Sequence, residues 1–321
     1  MHYLKNKYTN WNSKHFPELQ QFRTVESSCA GLSFHHARPR DFVTSQWMCF
    51  TSKYFTIYRV LLAILLFVWI IYDIVSETMR HFDQSEYGWI TYGTNWAFLL
   101  LTITHISLAL YCLIYNIKYS NNEPRYYQPI WFINNISSTC MLVVCVIFWF
   151  SLSNIPLSVF TSWQSRVKHS LTPILVLIDT CLCAIPIRMI HVIYPCLVGL
   201  IYSLFTYLFW LLGGAGPYDK GQVYPSVDWS KPIPTVLVCL CALMAAILCH
   251  VILYIIYFIR VNISAKLGGR GYMLIRETME QHCFDNEEFD LDEGIGKIGR
   301  QTIESKKIQN AQTDFQKYGT V

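Results

Sequence analysis

Long apolar runs along this chain are separated by short polar gaps. A helix needs about 20 mainly apolar residues to cross ~30 Å of hydrocarbon. Six runs meet that length, at 58–76, 89–115, 130–152, 170–188, 191–212 and 234–259. The pattern predicts an all-α membrane protein, a bundle of six transmembrane helices. The domain plan is then a segment at 1–54, a six-helix domain at 55–260 and a partly disordered tail at 261–321. The fourth and fifth runs are broken only by Pro186, Arg188 and the Tyr194–Pro195 pair. They are expected to form a tight hairpin.

Composition supports this plan. The chain is 53% hydrophobic and 14% charged, against about 25% charged in ordinary soluble domains. That excludes a soluble enzyme domain and a disordered chain. The net charge of +4 is small and forms no basic face, so no nucleic-acid partner is expected. Nineteen Lys and Arg residues fall on the side of the two tails and five on the other side. Cytoplasmic loops attract such residues, so both termini are expected to be cytoplasmic. The first apolar run begins beyond residue 50 and is long enough to span, so no secretory signal is expected.

Among 12 cysteines, none lies in the outward gaps at 77–88, 153–169 and 213–233. Disulfides need the oxidising side, so none is expected. Cys181/Cys183 and Cys239/Cys241 are two apart and do not face each other on a helix. No metal or cofactor is expected. Cys49, just before the first span, is a candidate palmitoylation site. The sequons at Asn135 and Asn262 fall in a span and on the cytoplasmic side, and both are expected to be unused.

Ionisable groups at membrane depth are costly and therefore mark candidate sites. They are Arg59, Asp73, His105, His169, Asp179, His191 and His250. Arg59 and Asp73 lie near span ends and are expected to snorkel to water or headgroups. His169 starts the fourth span on the outward side, where the helix N-terminus favours a neutral ring, the form a general base needs. Thr94, about five residues into the second span, lies at a comparable depth on the same side. A hydroxyl beside a neutral histidine can act as a nucleophile and base. A membrane threonine more often bonds a carbonyl one turn back. Asp179, ten residues after His169, is ~15 Å deeper and reads as a buried partner for a neighbouring span. Asn95 is an oxyanion-donor candidate by residue type, although it points ~100° away from Thr94 around the helix.

Several stretches resemble the rolling stone family of invertebrate membrane proteins. They are Phe42-Val43-Thr44-Ser45-Gln46-Trp47, then Thr94-Asn95-Trp96, and a long match from His169 through Asp179, Pro186-Ile187-Arg188 and His191 to Pro195. The match continues through Gly199 and Tyr207 to Val223-Tyr224-Pro225 and Asp228 to Pro232. This resemblance implies a role in myoblast fusion. A more distant one is to the androgen-induced family of six-span membrane hydrolases, which cleave fatty-acid esters of hydroxy fatty acids with a threonine and a histidine. The His169–Asp179 spacing, Tyr87-Gly88-Trp89 ahead of Thr94, Tyr194-Pro195 and Val223-Tyr224-Pro225 are similar to that family. It implies Thr94 and His169 as catalytic residues.

Three functions remain open at this stage. One is a membrane protein acting in cell fusion, whose partners would bind within the bilayer or on the cytoplasmic tails because the outward gaps are short. The second is a lipid ester hydrolase using Thr94 and His169, with or without a fusion role, whose partners are the bilayer and a lipid ester. The third is a channel or transporter, disfavoured by the sparse ionisable list. An integral location, at the plasma membrane, is expected.

Overall fold

The structure is a computed structural model that describes residues 32–36, 38–81, 88–153, 155, 158–214 and 221–267. Six long helices dominate: α1 (Ser52–His81), α2 (Gly93–Leu113), α3 (Tyr127–Ile147), α4 (Trp163–Leu182), α5 (Ile193–Leu211) and α6 (Pro232–Lys266). Among the described residues there is no strand, only an isolated bridge between Ser45 and Cys183. Five segments are long and apolar enough to cross a membrane: Ser52–Met79, Gly93–Lys118, Tyr127–Leu152, Met189–Leu211 and Pro232–Lys266. This is a helical membrane protein.

α4 is absent from that set and differs from the expected fourth span. It starts seven residues before 170 and ends six before 188. Its start is set by chemistry that hydropathy misses. Ser162 caps the helix, its hydroxyl accepting from the Ser165 N–H at 3.2 Å. Its end follows from Pro186, which disfavours helix in the residues before it. Cys183 is already extended. The result is a helix carrying Arg166, Lys168 and Asp179, which lowers its mean hydropathy. His169 is therefore two turns inside α4 rather than at its start, beyond the reach of the helix-end field.

The core joins five of the six helices. Leu62, Leu66 and Ile70 of α1 meet Phe98 and Leu101 of α2, Met141 and Cys145 of α3, Val176 of α4 and Leu253 of α6. α5 buries only Pro195 and Thr206 and stands at the edge. Between helices in lipid, close packing rather than water exclusion holds such contacts together. Both α2 and α3 end in a π-helical turn, Ile114–Lys118 and Phe148–Leu152.

The described residues just before α1 pack tightly against the bundle. Phe42 and Val43 are fully buried with Leu108, Tyr127 and Trp131. Backbone bonds run from Gln46 N–H to Leu182 O (3.0 Å) and from Ala184 N–H to Thr44 O (3.2 Å). Arg40 donates to Tyr115 O at 3.2 Å and Asn122 O at 2.7 Å, tying the π turn after α2 to the loop that follows it. The two sequon asparagines are engaged within the helices. Asn135 donates to His191 O at 3.0 Å and Asn262 to Phe258 O at 2.7 Å.

Candidate functional site

A pocket lined largely by polar side chains opens at one end of α1, α2 and α4. Asp73 and Glu77 line it from α1, Thr94 and Asn95 from α2, and Lys168 and His169 from α4. Thr94 and His169, expected together from depth and resemblance, thus share one pocket. Beside it lies a larger apolar pocket between α2, α3, α5 and α6, lined by Leu100, Val144, Val198, Gly199 and Leu243 among others. Thr94, Leu152 and Tyr224 line both. Thr94 therefore sits where a polar and an apolar chamber meet.

The state of Thr94 is unusual for this bundle. Thr102, Thr104, Thr139, Thr172 and Thr180 each donate to the carbonyl four residues back, the ordinary use of a helical threonine. Thr94 makes no such bond. It is the second residue of α2, preceded by the extended Tyr92, and it sits against the Tyr224 hydroxyl through side chain and backbone. That hydroxyl accepts from the Gly93 N–H at 3.1 Å. Burial pushes the Tyr224 phenol up, so it stays protonated at neutral pH.

His169 is held by its backbone and its ring face. Pro173 has no N–H to give to the His169 carbonyl one turn back. The freed carbonyl accepts from Trp149 Nε1 at 3.3 Å. The imidazole stacks on Phe148, the first residue of the π turn that closes α3. Its Nδ1 is buried with no hydrogen-bond partner among the described residues.

Asn95 is committed elsewhere. Its carbonyl oxygen accepts from Lys168 Nζ at 2.8 Å, and its amide donates to Trp89 O at 2.6 Å and Glu77 Oε2 at 3.2 Å. Both amide hydrogens are used, so it organises the pocket wall rather than offering a donor to an oxyanion. Lys168 also pairs with Asp73 at 2.8 Å, and Trp89 Nε1 donates to the same carboxylate at 2.8 Å. The expected snorkelling of Asp73 is corrected: its charge is neutralised inside the bundle by Lys168. The signal was present in the spacing of Asp73 and Glu77, four residues apart on one helix face.

Asp179 does not line the pocket with His169. It accepts from Arg59 Nη1 at 2.7 Å and from the Tyr58 hydroxyl at 2.9 Å. Arg59 is fully buried, which corrects its expected exposure. His105 lies close enough to feel both charges. His250 is satisfied by Thr139 at 3.1 Å and Arg188 O at 2.9 Å. No cluster of three or more His, Cys, Asp or Glu able to hold a metal exists among the described residues.

The family model for Protein rolling stone matches residues 15–267. The chain is similar to Protein rolling stone of Drosophila melanogaster, 26% identical over 219 residues, which is 63% of this chain and 77% of that protein. No solved structure matches the chain. The match runs from ahead of the docked Phe42 segment through the last residues of α6, so it takes in both pockets and every helix that lines them. The chain belongs to the rolling stone family.

Proposed function

We propose that this protein is a lipid ester hydrolase of the bilayer, with Thr94 as nucleophile and His169 as general base. The observation that carries the reading is the position of Thr94 on the wall shared by the polar and the apolar pocket. An acyl chain fits the apolar chamber, which places its ester at Thr94 and its polar end towards His169. The Thr94 oxygen bonds to the carbonyl carbon, and its proton passes to the His169 imidazole. The carbonyl electron pair moves onto oxygen. Collapse breaks the ester C–O bond, and the imidazolium returns its proton to the departing alkoxide. Water then attacks the acyl-threonine by the same route, releasing the acid and restoring Thr94.

Six crossings suit this site, with α4 as the crossing that hydropathy alone does not select. Two of its charges, Lys168 and Asp179, are matched by Asp73 and Arg59, which is how charged residues are tolerated at depth. Both termini are then cytoplasmic and the polar pocket faces outward. In the plasma membrane, hydrolysis would alter the lipids at which cells fuse, which joins this chemistry to the fusion role implied by the family. A cell-fusion assay comparing wild type with Thr94→Ala tests that link.

The direct test is labelling of detergent-purified protein with an activated phosphonate. Wild type is expected to label, and Thr94→Ala and His169→Ala to lose the label while keeping their unfolding temperature. Folded wild type that takes no label would end the hydrolase reading.

A further inference from the structure

Val223-Tyr224-Pro225 is a resembling motif to which the chemistry above gives no task. Tyr224 comes from the segment between α5 and α6, yet its side chain reaches the start of α2. There it lines both pockets beside Thr94. Its ring is fixed by edge-on contact with Tyr92 at 6.0 Å and by stacking with Phe160 at 6.5 Å.

The hydrogen bonds around its hydroxyl decide where its proton goes. A phenol has one proton to donate and can accept as well. Tyr202, the neighbouring phenol, donates to Thr91 O at 2.9 Å while accepting from the Gly93 N–H at 2.8 Å. Its proton is committed. Tyr224 accepts from the same Gly93 N–H at 3.1 Å, but has no carbonyl or carboxylate acceptor among the described residues. Its remaining hydroxyl neighbours are Tyr202 and Thr94. The Gly93 bond holds the oxygen beside Thr94, and the phenol hydrogen, free to rotate about the C–O bond, can turn towards a carbonyl that Thr94 attacks. Asn95, the other donor candidate, is spent on Trp89 and Glu77.

We infer that Tyr224 is the oxyanion donor of the Thr94 site, a catalytic residue whose hydroxyl hydrogen-bonds the tetrahedral oxygen formed from an acyl ester. The inference rests on the hydrolase reading above. As the Thr94 oxygen bonds to the carbonyl carbon, the carbonyl π pair becomes a lone pair on oxygen. Tyr224 donates a hydrogen bond to that oxygen and keeps its proton, so no charge moves through the phenol. When the intermediate collapses, the pair re-forms the carbonyl. A donor held in place before reaction stabilises charge that exists only in the transition state. The backbone amide of Gly93 has a second role here, because accepting its N–H polarises the phenol O–H and makes it a better donor.

The experiment uses full-length protein in detergent or nanodiscs and two readouts. The first is turnover of a long-chain acyl ester by wild type and Tyr224→Phe, which keeps the ring and removes only the hydroxyl. The second is inhibition by a long-chain trifluoromethyl ketone, which forms a tetrahedral oxyanion on a nucleophilic hydroxyl. Removing one oxyanion donor costs about 10²–10³ in kcat. Tyr224→Phe is expected to lose kcat on that scale with KM nearly unchanged, and to weaken the ketone by a similar factor. A structural role would instead lower the folded fraction and leave the turnover of folded protein and the ketone affinity alone. Tyr224→Phe with wild-type kcat and ketone affinity would overturn the assignment while leaving the hydrolase intact. If Tyr224→Phe does not fold, ketone affinity in wild type carrying a fluorinated tyrosine at 224 replaces it; unchanged affinity with the more acidic phenol overturns the proposal. Wild type that neither turns over ester nor binds the ketone defeats the hydrolase reading itself.

Discussion

The imidazole of His169 lies face to face with Phe148, their centroids 3.8 Å apart and their planes 4° from parallel. In Ser–His–acid hydrolases a carboxylate on Nδ1 orients the ring. Here Nδ1 has no partner among the described residues, and the ring plane is set by a π-stacked surface instead. The π turn that begins at Phe148 brings that surface under His169 and also turns Leu152 into both pockets. π turns recur at functional positions because they shift side chains off the α-helical register.

Phe148→Leu removes the platform and keeps an apolar side chain. Stacked aromatic pairs contribute about 0.5–1.5 kcal/mol beyond their burial. Turnover is expected to fall about three- to tenfold, in kcat rather than KM, since the base is less well placed but the substrate chambers remain. Phosphonate labelling should slow by the same factor. An unchanged labelling rate in folded Phe148→Leu would show that the stack does not orient the base.

Asp73 and Lys168 form a buried pair, 2.8 Å apart, that also holds Asn95 and Trp89. Removing one partner of a buried pair costs about 3–5 kcal/mol, because the other charge is stranded. Lys168→Met is expected to be strongly destabilised in thermal unfolding. The double variant Asp73→Asn with Lys168→Met should recover most of that loss. Additive losses would mean the two side chains act independently.

The order of the six long helices was legible, and five of them stand out as long apolar segments, because length and hydropathy are local properties. The boundaries of α4 were not, since they depend on the Ser162 cap and on Pro186. Depth and family resemblance together point to Thr94 and His169, and both line one pocket. Their surroundings could not. Lys168 reads as a loop charge until a neighbouring helix supplies Asp73, and Arg59 reads as a snorkelling residue until α4 supplies Asp179. Tyr224 carries no chemical signature in its own segment; its place depends on how the chain returns from α5 to α2. The docking of Phe42 and Val43 is likewise a long-range fact, written in which helix ends leave room for them.

Cys49 is exposed and lies just ahead of α1. On the proposed orientation, which puts both termini in the cytoplasm, a membrane-impermeant maleimide should not modify it on intact cells and should do so after permeabilisation. Cys49→Ser provides the control band. Labelling on intact cells would reverse the orientation and place the Thr94 pocket on the cytoplasmic side.

Gly199 and Leu243 both line the apolar pocket, and a Cβ at Gly199 would come within 3.3 Å of the Leu243 Cδ2. The contact is with the mobile end of a side chain, so a larger residue is accommodated by moving Leu243 into the cavity. Gly199→Leu also gains helix propensity, somewhat less than the ~0.8–1.0 kcal/mol that separates Gly from Ala, which favours retention of the fold. The substitution shortens the chamber without touching Thr94, His169 or Tyr224. Hydrolysis of a palmitoyl ester should fall at least tenfold, while that of a butyryl ester should stay within about twofold, since only the long chain needs the filled space. The ratio of the two rates is the readout, and it is independent of how much protein is active. Equal losses on both esters would place the acyl chain outside this pocket and remove the geometric support for Thr94 at its wall.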